Sequence, residues 1–238
     1  MIKKIIPFML IIVCVIAVFG CSGKTPVVGT ISGSDKNVTV KTESANSKSG
    51  MTVFQLFPTK FKVQDFLDHL TDVPIYYEND ECFNVTPEEI YAKYGFFVFK
   101  YDKSCAGYLM VGDQIYPIPE YEGGFGVSSF AVADMNSDGQ IELYFITSSG
   151  SGLHSSRVGY FDFATKKMLK FAFLNYDSDM MFSAEDDKLI LYNATLKCTS
   201  FVDIKNEKTN AVGEILFEKN TIVLKDYSEG SVIETMGS

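Results

Sequence analysis

Tryptophan is absent from this 238-residue chain, and histidine occurs only twice, at His69 and His154. Two histidines exclude a histidine-rich zinc enzyme, whose metal needs several imidazole ligands. No two cysteines stand at CxxC spacing, so a cysteine-based zinc site is excluded too. Basic residues are outnumbered, 21 against 30 acids, and they form no cluster. Nucleic-acid phosphates demand such a patch, so no nucleic-acid partner is expected. The formal net charge of −9 fits either plain solubility or a site that collects divalent cations.

The N-terminus is the most legible segment. In "MIKKIIPFMLIIVCVIAVFGC" two lysines precede an apolar run from Ile5 to Phe19, then Gly20 and Cys21. The run falls short of the roughly 20 apolar residues that a membrane span needs. It has the n-region and h-region of an export signal. Its ending, "VFGC", resembles the bacterial lipobox, with Phe19 bulkier than the usual residue at its place. That resemblance implies a signal peptide over 1–20, cleavage before Cys21, and diacylglycerol on the Cys21 thiol. The folded part would then lie outside the cytoplasm, anchored to the bacterial cell membrane. Loss of Lys3 and Lys4 with the signal would leave 19 basic residues against 30 acids, a net charge of −11.

Residues 22–50 contain no aromatic residue and little apolar mass. Such a stretch cannot bury enough surface to offset chain entropy, so 21–50 reads as a lipid-anchored tether. A coil of that length has an r.m.s. reach of roughly 30 Å. Beyond the signal three cysteines remain, Cys82, Cys105 and Cys198. A Cys82–Cys105 disulfide and two buried free thiols are both open from the sequence.

In "TKFKVQDFLDHL", Val63, Phe66, Leu67 and Leu70 recur at helical spacing and predict one apolar helix face. In "NVTPEEIYAKYG", Thr86 is the expected N-cap, Pro87 the first helical residue and Glu89 the partner in a capping box, with Gly95 as the stop. Residues 51–95 therefore read as a small helical segment packed on a sheet. From 96 to 238 the pattern changes to about ten strands, rich in aromatic and β-branched residues and joined by hairpin turns such as "GDQ", "ATKK" and Lys219-Asn220. The expected fold is α+β and mainly antiparallel β: a partial propeller-like sheet or an irregular β-sandwich with two short N-terminal helices.

One loop within that region carries chemistry. "ADMNSDGQIELYF" alternates Asp134, Asn136 and Asp138, then has Gly139 and Glu142. Calcium takes six to eight oxygen ligands and accepts carboxylates and carbonyls. Asp134, Asn136 and Asp138 can turn inward from one curled segment, with the backbone carbonyl of Gln140 as a fourth ligand and Glu142 closing the site. Gly139 lets the backbone reverse. Ile141 and Leu143 would point into the core. An EF-hand is excluded, because the twelfth position is Phe145 and the flanks read as strands. The same residues also make an Asx-rich turn without an ion; one structural calcium ion is the favoured outcome.

The D-x-N-x-D-G-x-x-E pattern between strands resembles the calcium loops of FG-GAP and VCBS repeats, the blades of integrin-type propellers. That resemblance implies metal ligands at Asp134, Asn136, Asp138, Gln140 and Glu142, with Glu142 where Asp is more usual. The longer stretch "GGFGVSSFAVADMNSDGQIELYFITSSGSGLHSSRVGYFD" is similar to a family of uncharacterised bacterial lipoproteins, which implies no activity.

Other candidate groups are weaker. Ser151 and His154 in "SSGSGLHSSR" suggest a surface hydrolase, but Ser149 stands where a nucleophile elbow needs glycine, and no orienting acid can be placed. "SAEDDKL" reads as a polar hairpin turn rather than an acid–base pair. The expected function is a membrane-anchored binding or structural module, stabilised by one calcium ion, whose partner is a surface protein or envelope polymer. An enzyme is disfavoured and no catalytic residue is assigned. The rival readings are the hydrolase, using the 148–157 loop, and a transporter's solute-binding lipoprotein, which calls for two α/β lobes.

Overall fold

The structure is a computed structural model describing residues 50–71, 77–119 and 123–237. The expected signal, Cys21 and the tether up to residue 49 lie outside these residues. No described helix is long and apolar enough to cross a membrane.

The chain opens with β1 (Thr52–Phe54), α1 (Val63–His69), β2 (Cys82–Asn84) and α2 (Glu88–Tyr94). A meander follows: β3 (Phe96–Tyr101), β4 (Gly107–Val111), β5 (Gln114–Ile118), β6 (Gly126–Ala133), β7 (Glu142–Ser149), β8 (Ser155–Asp162) and β9 (Lys167–Tyr176). It ends with β10 (Asp179–Glu185), β11 (Lys188–Ser200), β12 (Asp203–Glu218), β13 (Thr221–Asp226), β14 (Val232–Ile233) and β15 (Thr235–Gly237). These build three antiparallel sheets, ordered β1-β6-β7-β8-β9-β15, β10-β11-β12-β13-β14 and β2-β3-β4-β5. The expected mainly antiparallel fold with two short helices is what forms. Among the described residues there is no closed barrel or propeller.

The six-stranded sheet lies between the other two. Along β6, Phe130 and Val132 enter one core cluster while Ala131 and Ala133 enter another; along β7, Leu143 and Phe145 divide from Tyr144 and Ile146 in the same way. Successive side chains point to opposite faces, and here both faces are covered. That is why these strands read as nearly unbroken apolar runs. The first cluster, with Phe96, Val98 and Leu109, joins the central sheet to the four-stranded one. The second, with Phe182, Leu191 and Leu224, joins it to the five-stranded one. On the far face of the four-stranded sheet, Phe66 of α1 stacks on Phe99 with centroids 4.2 Å apart.

Several local expectations are corrected. Leu67 is exposed, so the buried stripe of α1 narrows to Phe66 with Val63 and Leu70 at its rim. Thr86 does not cap α2. Its hydroxyl accepts the N–H of Val98 at 2.6 Å instead, and no side-chain cap bond forms at the helix start. A strand donor left unpaired in the core is the costlier loss, so the tertiary bond wins over the local cap. Gly95 does end the helix, at φ 73°. Residues 51–95 are not purely helical: β1 pairs with β6 and β2 with β3. Three-residue strands carry too short an alternation to be read. Strand β10, whose two methionines and phenylalanine follow an acidic run, also escapes the periodicity, as do β14, β15 and the outer reach of the β11–β12 hairpin.

That hairpin bends at register shifts around Tyr192. Its base packs in the second cluster, through Leu191 and Ile215. Its tip delivers Val202 and Ile204 to the first cluster. It passes the start of β6, where the Asn206 amide donates to the Ser128 carbonyl at 3.0 Å. β1 pairs only with Phe130–Val132 and leaves that stretch free of β1.

Candidate functional site

Strands β6 and β7 form a hairpin, and the Asp134–Gln140 loop closes it. Asp134 accepts the N–H of Asp138 at 3.1 Å on Oδ1 and that of Gly139 at 3.0 Å on Oδ2. Asn136 Oδ1 accepts the Asp138 N–H at 2.9 Å, and Asp138 Oδ1 accepts the Gln140 N–H at 2.8 Å. The Asn136 amide donates to Asp138 Oδ2 at 3.1 Å. Each carboxylate thus folds the loop by taking backbone donors two to five residues ahead. Gly139, at φ 84°, and Ser137, at φ 58°, supply the left-handed turns. Ile141 and Leu143 pack in the first core cluster and Met135 against the second, which pins the loop to both faces of the sheet.

Glu142 differs from the loop aspartates. Its residue is 1% exposed, and its Oε2 accepts the Met135 N–H at 2.8 Å and the Tyr144 hydroxyl at 3.3 Å. Its carboxyl is raised to about 7, mainly by desolvation; those two donors oppose the rise, and the nearby charges of Asp134 and Asp138 add to it. An ionised Glu142 is therefore a buried anion facing like charges.

The donor set suits a hard cation. It is all oxygen, with three carboxylates, and an oxygen that accepts one N–H keeps a second lone pair. Yet among the described residues no three His, Cys, Asp or Glu side chains are gathered tightly enough to hold an ion by themselves. In this conformation the aspartates are turned onto backbone donors, and Gln140 enters the network through its N–H. The structure brings Asp134, Asn136, Asp138 and Glu142 into one loop, but it does not converge them on one point.

The opposite end of the same hairpin is built differently. Gly123 and Gly124 pack against the 148–151 backbone. A Cβ on Gly124 would lie 2.5 Å from the Ser148 carbonyl oxygen, and one on Gly126 2.4 Å from that of Cys105. Here stands the acid that the sequence could not place. Asp179, at the start of β10, accepts the Ser148 hydroxyl at 2.6 Å and lies 3.1 Å from His154 Nδ1. The His154 ring sits edge-on to Phe125, with centroids 4.7 Å apart. Ser151 is exposed and has no hydrogen bond to His154, and Ser148 is fully buried. The serine and histidine that the sequence pairs are thus not brought together.

Beneath these loops lies a group that the sequence did not flag. Lys100 is 0% exposed and stands in the β3 row of Phe96 and Val98 that faces the central sheet. Its Nζ donates to the carbonyls of Phe125 at 2.6 Å and Val127 at 2.8 Å, and also to that of Phe201. Burial pushes its ammonium down to about 8. Three acceptors match the three N–H donors of a charged lysine. Cys82 and Cys105 are separate buried thiols rather than a disulfide, and desolvation raises them to about 12 and about 11. In "SAEDDKL", Asp186 and Asp187 make the expected hairpin turn at φ 47° and 61°.

No protein-family model, curated protein or solved structure matches the chain. The likeness to FG-GAP and VCBS loops therefore rests on the loop pattern itself.

Proposed function

We propose that the chain is a lipid-anchored extracytoplasmic β-rich module, for binding or structural support, stabilised by one calcium ion. One observation carries the ion: a buried Glu142 with two hydrogen-bond donors stands beside two further carboxylates. Asp134, Asn136, Asp138, the Gln140 carbonyl and Glu142 would hold it, and its charge would neutralise the cluster. The anchor reading rests on the "VFGC" ending, with lipid on Cys21. The partner class is a surface protein or envelope polymer. Among the described residues every sheet is antiparallel, which argues against the two α/β lobes of a transporter's solute-binding lipoprotein.

The test is thermal unfolding with calcium and with chelator, on the chain and on Asp134→Ala. A ligand that binds only the folded form raises the midpoint. Calcium should raise it in the chain and not in Asp134→Ala. An unchanged midpoint in both would reduce the loop to an Asx turn. The hydrolase is the second reading, favoured by the Asp179–His154 contact and opposed because, among the described residues, no serine is bonded to His154.

A further inference from the structure

The exposed large apolar residues include Phe57, at 60%, and Phe61, at 49%, in the short connection between β1 and α1. That connection runs along β2. The Phe57 N–H donates to the Val85 carbonyl, and Thr59 bridges to Asn84. Phe61 stacks on Tyr91 of α2 with centroids 5.2 Å apart, and Tyr91 in turn meets Phe97 at 5.2 Å. The Phe61 ring is thus held in place while half of it faces water. The Lys60 ammonium lies 3.6 Å from the Phe83 ring centroid.

This patch lies a few residues beyond Gly50, where the described residues begin. Thr52, at the start of β1, meets the Tyr94 hydroxyl at 3.3 Å. Phe57 follows Thr52 by five residues, at most about 18 Å of chain. Only 29 residues, 22–50, separate Cys21 from Met51. Fully extended they span at most about 100 Å, and a coil of that length about 30 Å. A short link keeps the bilayer at high effective concentration beside the segment it enters.

We propose that this patch, centred on Phe57 and Phe61, rests in the lipid headgroup region and fixes the orientation of the domain on the membrane; this rests on the lipid-anchor reading above. Aromatic rings and lysine stems are the side chains that settle at that depth. The contact is apolar rather than electrostatic. Lys60 is paired with Glu81 at 3.0 Å and Lys62 with Asp65 at 2.9 Å, so the patch carries little net charge.

The absence of tryptophan makes the test direct. Phe57→Trp, Phe61→Trp and Tyr176→Trp are each made in the full chain, purified from membranes of a lipidating bacterium. They are reconstituted into phosphatidylcholine/phosphatidylglycerol vesicles with brominated acyl chains. Tyr176, 71% exposed and paired with Ser155 at the far end of the central sheet, is the control. The expected result is about twofold quenching at positions 57 and 61 and none at 176, as for interfacial rings. It should persist at about 1 M salt, where charge interactions are screened beyond about 3 Å. If the protein floats with the vesicles but positions 57 and 61 are unquenched, or all three are quenched alike, the docking is wrong and the anchor stands. If it does not float with them, both fall. Should Phe57→Trp fail to fold, Phe61→Trp carries the test.

Discussion

The two ends of the β6–β7 hairpin each bury an ionisable group, and they surround it differently. At the glycine-rich end the ammonium of Lys100 has three carbonyl acceptors for its three donors. At the acidic end Glu142 has two donors, and its neighbours repel it. A buried charge is tolerable when its hydrogen bonds are complete and costly when they are not. The contrast teaches where to look for an external ion: at the charge whose surroundings are incomplete. Lys100 needs nothing further. Glu142 is relieved by a proton or by a cation.

The largest expected effect breaks the complete end. Lys100→Met removes a buried donor from three carbonyls, and at roughly 1 kcal/mol or more each the loss is about 3–4 kcal/mol. For a domain of this size the midpoint falls by about 10 °C, read by circular dichroism. Next comes a pair of glycines. Gly124→Ala drives a Cβ into rigid backbone at 2.5 Å, which is expected to cost about 2–3 kcal/mol. Gly139→Ala at the acidic end meets nothing within 4 Å and is strained only through φ 84°, about 1 kcal/mol. Equal losses in urea unfolding would show that the glycine-rich end packs less tightly than a 2.5 Å approach requires.

A smaller effect reverses sign. In chelator at pH 7.5, Glu142→Gln removes a buried charge beside two like charges, and a gain of about 1 kcal/mol is expected. In calcium the same variant should show no rise in midpoint. A loss in chelator would mean that the carboxylate is satisfied without an ion.

The smallest effect belongs to a carboxylate on neither end. Glu185, the last residue of β10, is held down to about 2, first by Lys208, then by Ser183 and Tyr192. Its folded value lies below the unfolded one, so its contribution is present above about pH 4.5 and is lost as pH falls through about 2. The group is more than a third exposed, which limits the contribution to about 0.5–1 kcal/mol. Glu185→Gln should lose that amount at pH 7 and nothing at pH 2 in urea titrations.

The same contrast explains what could be read from sequence. The acidic loop is local: its hydrogen bonds join residues two to seven apart, so Asp134, Asn136, Asp138, Gly139 and Glu142 announce their turn in one short string. The glycine-rich end is assembled from distance. Asp179 reaches back 31 positions to Ser148, and Phe201 lies 101 positions from Lys100. Lys100 in "FFVFKYD" looks like an outward residue of an alternating strand, because nothing nearby shows a second layer arriving to cover it. The hairpins from β3 to β9 were legible from turn residues and periodicity. The strands β1 and β2 were too short, and the Thr86 cap lost its hydroxyl to a strand twelve residues on.

The reach of the β11–β12 hairpin fixes an order of events in folding. Its tip supplies Val202 and Ile204 to a core whose other members begin at Phe54. Closing that contact means closing a loop of more than a hundred residues, which slows folding in proportion to topology rather than stability. Until the tip arrives, Lys100 lacks its Phe201 acceptor and the start of β6 lacks its Asn206 partner. A chain emerging from its N-terminus cannot complete the layer between the central and four-stranded sheets before residue 204 is available. Most of its length must be made before that layer can close.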